Sequence, residues 1–198
     1  MRRTLSSFLA VCTLALALGA AAEAAPVRVR VEGKTTTIYG ASEPTLEAGA
    51  TALDALEAAS LAGEFYYHVT EFSFGPFVDQ IARWATTPAD GWVYKVNGVS
   101  PDVGAAQYTL TQGDRVLWYW TRFSGFASTP TLRLERQRGG CYRVTIEDSR
   151  GAQRAASGAS LVVDGRRVRT RAGRACLKSH RSLVRAVLPG AVRSNAVP

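Results

Sequence analysis

Only one stretch of this chain repeats its apolar residues at helical spacing, and the other patterned stretches are short and alternate with period two. Ala52, Leu53, Leu56, Ala59 and Ser60 recur at the spacing of one helix face. Thr51 with Asp54 three residues on resembles a capping box, and Gly63 stands where a helix would stop. A chain with one short helix must bury its apolar surface mainly through sheets.

The sheet-forming stretches are legible one by one. Val27, Val29 and Val31 alternate with Arg28, Arg30 and Glu32, and Gly33-Lys34 turns the chain into Thr35 to Tyr39, so residues 26–40 read as a hairpin. Aromatic stretches follow at Phe65 to Val69 and Phe72 to Val78, with strands expected on either side of the Gly75-Pro76 turn. Trp92 to Val96 meets Val99 through Asn97-Gly98, a dipeptide in which both residues tolerate positive φ. Gln107 to Leu110 and Arg115 to Thr121 complete this set. Within the last strand Val116, Trp118 and Trp120 share one face and Leu117 and Tyr119 the other; one face must meet the helix, and the other is expected to be open.

The turn formers of Ser124 to Pro130 mark a boundary across which composition changes. Residues 26–127 hold 7 basic and 11 acidic groups and all four tryptophans, whereas residues 128–198 hold 15 basic and 4 acidic groups. The net charge of +8 is therefore the sum of a mildly acidic part, a strongly basic one and a single positive charge from residues 1–25. Beyond the boundary, Leu132/Leu134, Tyr142/Val144/Ile146, Leu161/Val163 and Val184/Ala186/Leu188 alternate between turns at Asp148 to Gly151, Asp164-Gly165, Ala172-Gly173 and Pro189-Gly190. Such spacing predicts a small all-β sandwich. Arg166, Arg167, Arg169, Arg171 and Arg174 form the densest basic run, suited to an acidic cell-envelope polymer or to a solvated sandwich face.

At the amino terminus, Arg2 and Arg3 precede an apolar run from Phe8 to Ala22 and then Ala22-Glu23-Ala24, the order of a cleavable secretory signal over residues 1–25. The run is about 15 residues long against the roughly 20 that span a bilayer, so export to a secreted or cell-surface location is expected. Cys12 follows bulky Val11 inside that run and does not read as a lipid-attachment site. The mature chain then carries Cys141 and Cys176, which in an oxidising compartment are expected to form one disulfide.

A resemblance rests on Thr51-x-Leu53-Asp54-x-Leu56-x-x-Ala59, Phe74-Gly75 with Val78 and Ile81, Gly91-Trp92-x-Tyr94-x-Val96-Asn97-Gly98, Gly104-Ala105, Tyr108 and Gly113-Asp114-x-Val116-x-Trp118-x-Trp120. Over residues 27–123 this series resembles the carboxy-terminal β-domain of transcobalamin and intrinsic factor, and in particular a bacterial extracellular domain of unknown function related to it. The resemblance implies an α+β β-grasp (ubiquitin-like) domain over residues 26–127, followed by the sandwich over 128–198. The latter is loosely similar to immunoglobulin-like or prealbumin-like accessory domains. In the vitamin carriers such a domain closes over one face of cobalamin while a separate helical barrel holds the other. About 170 residues leave no room for that barrel, so the resemblance implies a corrinoid or similar flat apolar ligand bound with a helical-barrel partner protein. The crowding of six Phe and Tyr between Phe65 and Phe77 suits such a ligand, and Phe74, Phe77, Tyr119 and Trp120 are the expected contacts.

Other functions find less support. With His68 and His180 as the only imidazoles and no Gly-x-Ser-x-Gly, no nucleophile and base pair is visible, and a non-enzymatic protein is expected. His68, a lone imidazole in a strand, reads as a hydrogen-bonded or exposed residue rather than an axial cobalt ligand, and the cysteines lack the spacing of a metal site. The basic run has no nucleic-acid-binding motif beside it, and its surplus arginines stand apart from the aromatics. The rival reading is a structural or adhesive cell-surface protein whose sandwich is a spacer or wall-contact domain.

Overall fold

The computed structural model describes residues 25–123 and 129–198. In the first part the elements are β1 (Ala25–Glu32), β2 (Thr37–Tyr39), β3 (Thr45–Ala48), α1 (Ala52–Gly63), β4 (Tyr67–Phe72), β5 (Gly75–Ile81), β6 (Trp84–Ala85), β7 (Asp90–Val96) and β8 (Arg115–Arg122). In the second they are β9 (Thr131–Arg136), β10 (Cys141–Glu147), β11 (Gln153–Ala155), β12 (Ser160–Val163), β13 (Arg166–Arg169), β14 (Arg174–Cys176), β15 (Val184–Val187) and β16 (Ala196–Val197).

The expected α+β β-grasp domain followed by a separate sandwich is corrected by this arrangement. Among the described residues the chain is mostly β throughout, with sixteen strands in four sheets and one α-helix. The physical reason lies in the aromatic segment after α1. Its strands β4, β5 and β6 pair only with one another, as a three-stranded sheet of their own, instead of extending the sheet beneath the helix. The turn between β4 and β5 falls at Ser73-Phe74, and Gly75-Pro76, expected as the turn, opens β5 instead. Gln107 to Leu110 forms no strand, only a bridge between Thr109 and Thr51. The signal expected over residues 1–25 falls, except for Ala25, outside the described residues, as does most of the boundary segment, at 124–128.

The first sheet runs β2-β1-β8-β7, with β3 also on β1, and β1 and β8 are parallel. Helix α1 lies on one face. Its buried side chains Ala52, Ala55, Leu56 and Ala59 are mostly small, which brings the helix close to Val27, Val29, Val31 and Trp118. Trp118 Nε1 donates to the Ala52 carbonyl at 3.3 Å. The capping box is complete, with Thr51 Oγ1 accepting from Asp54 N and Asp54 Oδ2 accepting from Thr51 N.

The opposite face, expected to be open, is covered by the second part of the chain. There the four-stranded sheets around β10 and around β12 enclose Leu132, Leu134, Tyr142, Val144, Leu161, Val163, Val184 and Ala186. Cys141 and Cys176 are directly paired on β10 and β14 and are joined by a disulfide. Among the described residues no helix is long and apolar enough to cross a membrane.

Alternation along β1 explains how the two parts meet. Val27, Val29 and Val31 face the helix, so Arg30 and Glu32 must face the other way, and both are buried against the second part. Glu32 accepts from Arg193 Nη2 at 2.9 Å, from Thr37 Oγ1 at 3.1 Å and from Arg185 Nη2. Arg30 Nη1 donates to the Arg193 carbonyl at 2.8 Å, and Glu43 accepts from Arg133 Nη1 at 2.5 Å. Lys95, fully buried on β7, donates to Thr131 Oγ1 and to the carbonyls of Glu147 and Asp148 at 2.7 to 3.3 Å. The acidic first part and the basic second part thus meet through largely buried ion pairs and hydrogen bonds.

Candidate ligand-binding cleft

Strand β7 is the last strand of its sheet, and a hollow of about 580 Å³ lies along it. That is the size range of a small-molecule site. Trp92, Tyr94 and Trp118 form the floor, Phe77 and Val78 of β5 one wall, and the loop of residues 100–107 the other. Phe74 at the β4–β5 turn, Val103 and Phe123 stand at the mouth with exposures of 67%, 45% and 39%. Exposed apolar groups of that size around an aromatic floor make a surface that gains by covering.

The floor and loop are tied together. Tyr94 stacks on Trp118 with ring centroids 5.3 Å apart, and its hydroxyl donates to the Val103 carbonyl at 2.7 Å. Burial, with Tyr108 nearby, pushes the Tyr94 phenol up to about 12, so it stays a donor and holds the loop. The far end of the loop is anchored to the helix start, where Leu53 N donates to the Ala105 carbonyl and Ala52 N to that of Tyr108, both at 3.1 Å. These bonds also satisfy two amides that a helix N-terminus leaves open. The cleft is therefore preformed by bonds that the fold needs in any case. Asp102 and Arg122 give it two charged groups, and Gln107 an amide.

Of the four expected contact residues, the structure gathers Phe74 and Phe77 at this cleft. Tyr119 is fully buried on the opposite face of the sheet. Trp120 stands edge-on to Trp92 and borders a different hollow of about 170 Å³ beside Gly33 and Val192. Sequence reasoning missed the loop, because Pro101 to Ala106 carries no periodicity; Gly104-Ala105 within the resemblance was the one pointer to it.

His68 lies outside the cleft, with Nδ1 2.7 Å from Asp79 Oδ1. Burial acts to raise the Asp79 pKa, but hydrogen bonds from Thr70 and His68 outweigh it and hold the carboxyl low. Among the described residues no three His, Cys, Asp or Glu side chains come together as metal ligands would.

The basic run is divided between two sheets, with Arg171 bridging to Arg174. Arg166, Arg167 and Arg169 lie on β13 in one sheet, Arg171 lies in the turn that follows, and Arg174 lies on β14 in the other sheet. There Arg174 is directly opposite Arg143, both exposed.

Residues 49–122 match the family model of a domain of unknown function (DUF4430). The matched segment runs from just before α1 to the end of β8 and contains every cleft residue named above except Phe123. Among solved structures, a candidate metal-binding protein from Ruminococcus gnavus is similar at 15% identity and a TM-score of 0.40. That likeness covers 50% of this chain and 99% of that one, and is too distant to transfer a ligand. A search of curated proteins finds no match.

Proposed function

We propose that this protein is an exported, non-enzymatic binding module whose cleft along β7 takes one face of a flat, largely apolar ligand, a corrinoid being the first to test. The observation that carries the reading is a preformed 580 Å³ hollow with an aromatic floor and an exposed apolar rim. A corrinoid bound there would lie across the exposed apolar rim, with its other face left to a helical-barrel partner. Export is supported by the amino-terminal pattern and by the disulfide.

Equilibrium dialysis against hydroxocobalamin, followed by its visible spectrum, tests the reading. Retention is expected, and Phe74→Ala should weaken it about 2- to 12-fold, the worth of one aromatic contact. The same substitution should leave thermal stability unchanged, because the ring is mostly exposed. No retention up to millimolar ligand, alone or with a co-purifying partner, would overturn it.

A second reading, wall contact by the basic part, draws on Arg143 and Arg174. Like charges directly opposite on neighbouring strands repel, and an anionic polymer would relieve them. Salt-sensitive sedimentation with cell walls, lost in a double Arg143→Gln, Arg174→Gln variant, would favour it.

A further inference from the structure

Where the two parts of the chain meet there is a small space of about 20 Å³, room for a single water-sized occupant. Around it stand Arg30, Lys95, Arg115 and Arg133 against two carboxylates, Glu43 and Glu147, an excess of two positive charges. Most of these groups have partners. Lys95 is bound to Thr131 and two carbonyls, Arg133 to Glu43, and Glu147 Oε1 accepts from Gln153 at 2.7 Å.

Two donors are left over. Arg30, 2% exposed, has its Nε buried without a hydrogen bond, 3.4 Å from Glu43 Oε1 but poorly aligned with it. The half-buried Arg115 side chain makes no hydrogen bond or ion pair among the described residues. Burial weighs against the charge of both guanidinium groups. A water molecule would satisfy the donors and leave the charge excess; an anion answers both.

We propose that this space is a binding site for a small monovalent anion of the halide class, held between Arg30 and Arg115 and acting as part of the contact between the two parts of the chain. Its small size favours a monatomic anion over larger oxyanions and organic acids. The site is independent of the cleft and of any ligand there.

Thermal unfolding of the full chain at constant ionic strength, with chloride exchanged for gluconate, reads the effect. The expected result is a midpoint that rises and then saturates with chloride or bromide, as site binding to the native state requires. Arg115→Gln, which removes no side-chain hydrogen bond or ion pair among the described residues, should flatten that response, and crystals grown in bromide should show an anomalous peak beside Arg30 and Arg115. Equal midpoints in chloride and gluconate, a response that survives Arg115→Gln, or a bromide-free space in the crystal would each overturn the proposal. If Arg115→Gln fails to fold, the bromide crystal decides by itself.

Discussion

Replacing Glu32 by Gln removes the negative centre on which three arginines converge. The carboxylate is 1% exposed and takes hydrogen bonds from Arg185, Arg193 and Thr37, with Arg30 Nη1 at 3.5 Å. Breaking a buried pair from one side costs about 3–5 kcal/mol, because the partner charge stays buried. Here Arg185 and Arg193 keep 19% and 23% of their side-chain exposure and can be partly rehydrated, so the low end applies, about 3 kcal/mol. For a chain of this size that lowers the midpoint by about 6–12 °C.

Because the two hydrophobic clusters share no residues, loss of the ionic contact should also uncouple them. All four tryptophans lie in the first part, so denaturant unfolding followed by tryptophan fluorescence and by far-ultraviolet circular dichroism should coincide in the wild type and separate in Glu32→Gln. The exposed Glu47→Gln is the control and should change stability by less than about 0.5 kcal/mol. A loss below about 1 kcal/mol in Glu32→Gln, with one coincident transition, would refute the view that this charge network joins the parts.

Three further outcomes follow from the same contacts. Burial acts to raise the pKa of Glu43, but the charges of Arg30 and Arg133 outweigh it and hold the carboxyl below its ordinary 4.5; its contribution is therefore complete above that pH and lost as pH falls through the lower folded value, and Glu43→Gln should flatten the acid limb of a stability-against-pH curve. Burial pushes Lys95 down from 10.5 to about 8, so between those values the unfolded chain binds more protons and stability should rise with pH; hydrogen exchange or denaturant titration should find the rise absent in Lys95→Met. The disulfide closes a separation of 35 residues, which in the chain-entropy model is worth about 4 kcal/mol, so a Cys141→Ser, Cys176→Ser variant should unfold at clearly lower denaturant.

What could be read in the sequence was local. Helix α1 with its capping box, the Asn97-Gly98 turn with φ of 52° and 89°, and the pairing of Cys141 with Cys176 all depend on residues whose neighbours in space are neighbours in sequence or are few in number. Which residues of β8 share a face was also legible: Val116, Trp118 and Trp120 join the core under the helix, and Leu117 and Tyr119 do not. What covers the second face was not, because nothing in Leu117 or Tyr119 distinguishes an open face from one buried by strands lying beyond Pro130. The charge asymmetry was visible as a count, and its use was hidden. Glu32 and Glu43 meet arginines 90 to 161 residues away, and Glu43 does so from a left-handed backbone, φ 56°, which no residue type signalled. The cleft was half legible for the same reason: its aromatic wall advertises itself, while its opposite wall is a loop defined by backbone hydrogen bonds.

The way that loop is tethered separates recognition from stability. The floor residues Trp92, Tyr94 and Trp118 belong to the core and cannot change without unpacking it, whereas Phe74, Asp102, Val103 and Phe123 project from turns and strand ends and are exposed. Under the proposed reading, substitutions at the rim would alter what the cleft accepts and leave the scaffold intact, whereas substitutions at the floor would cost the fold first.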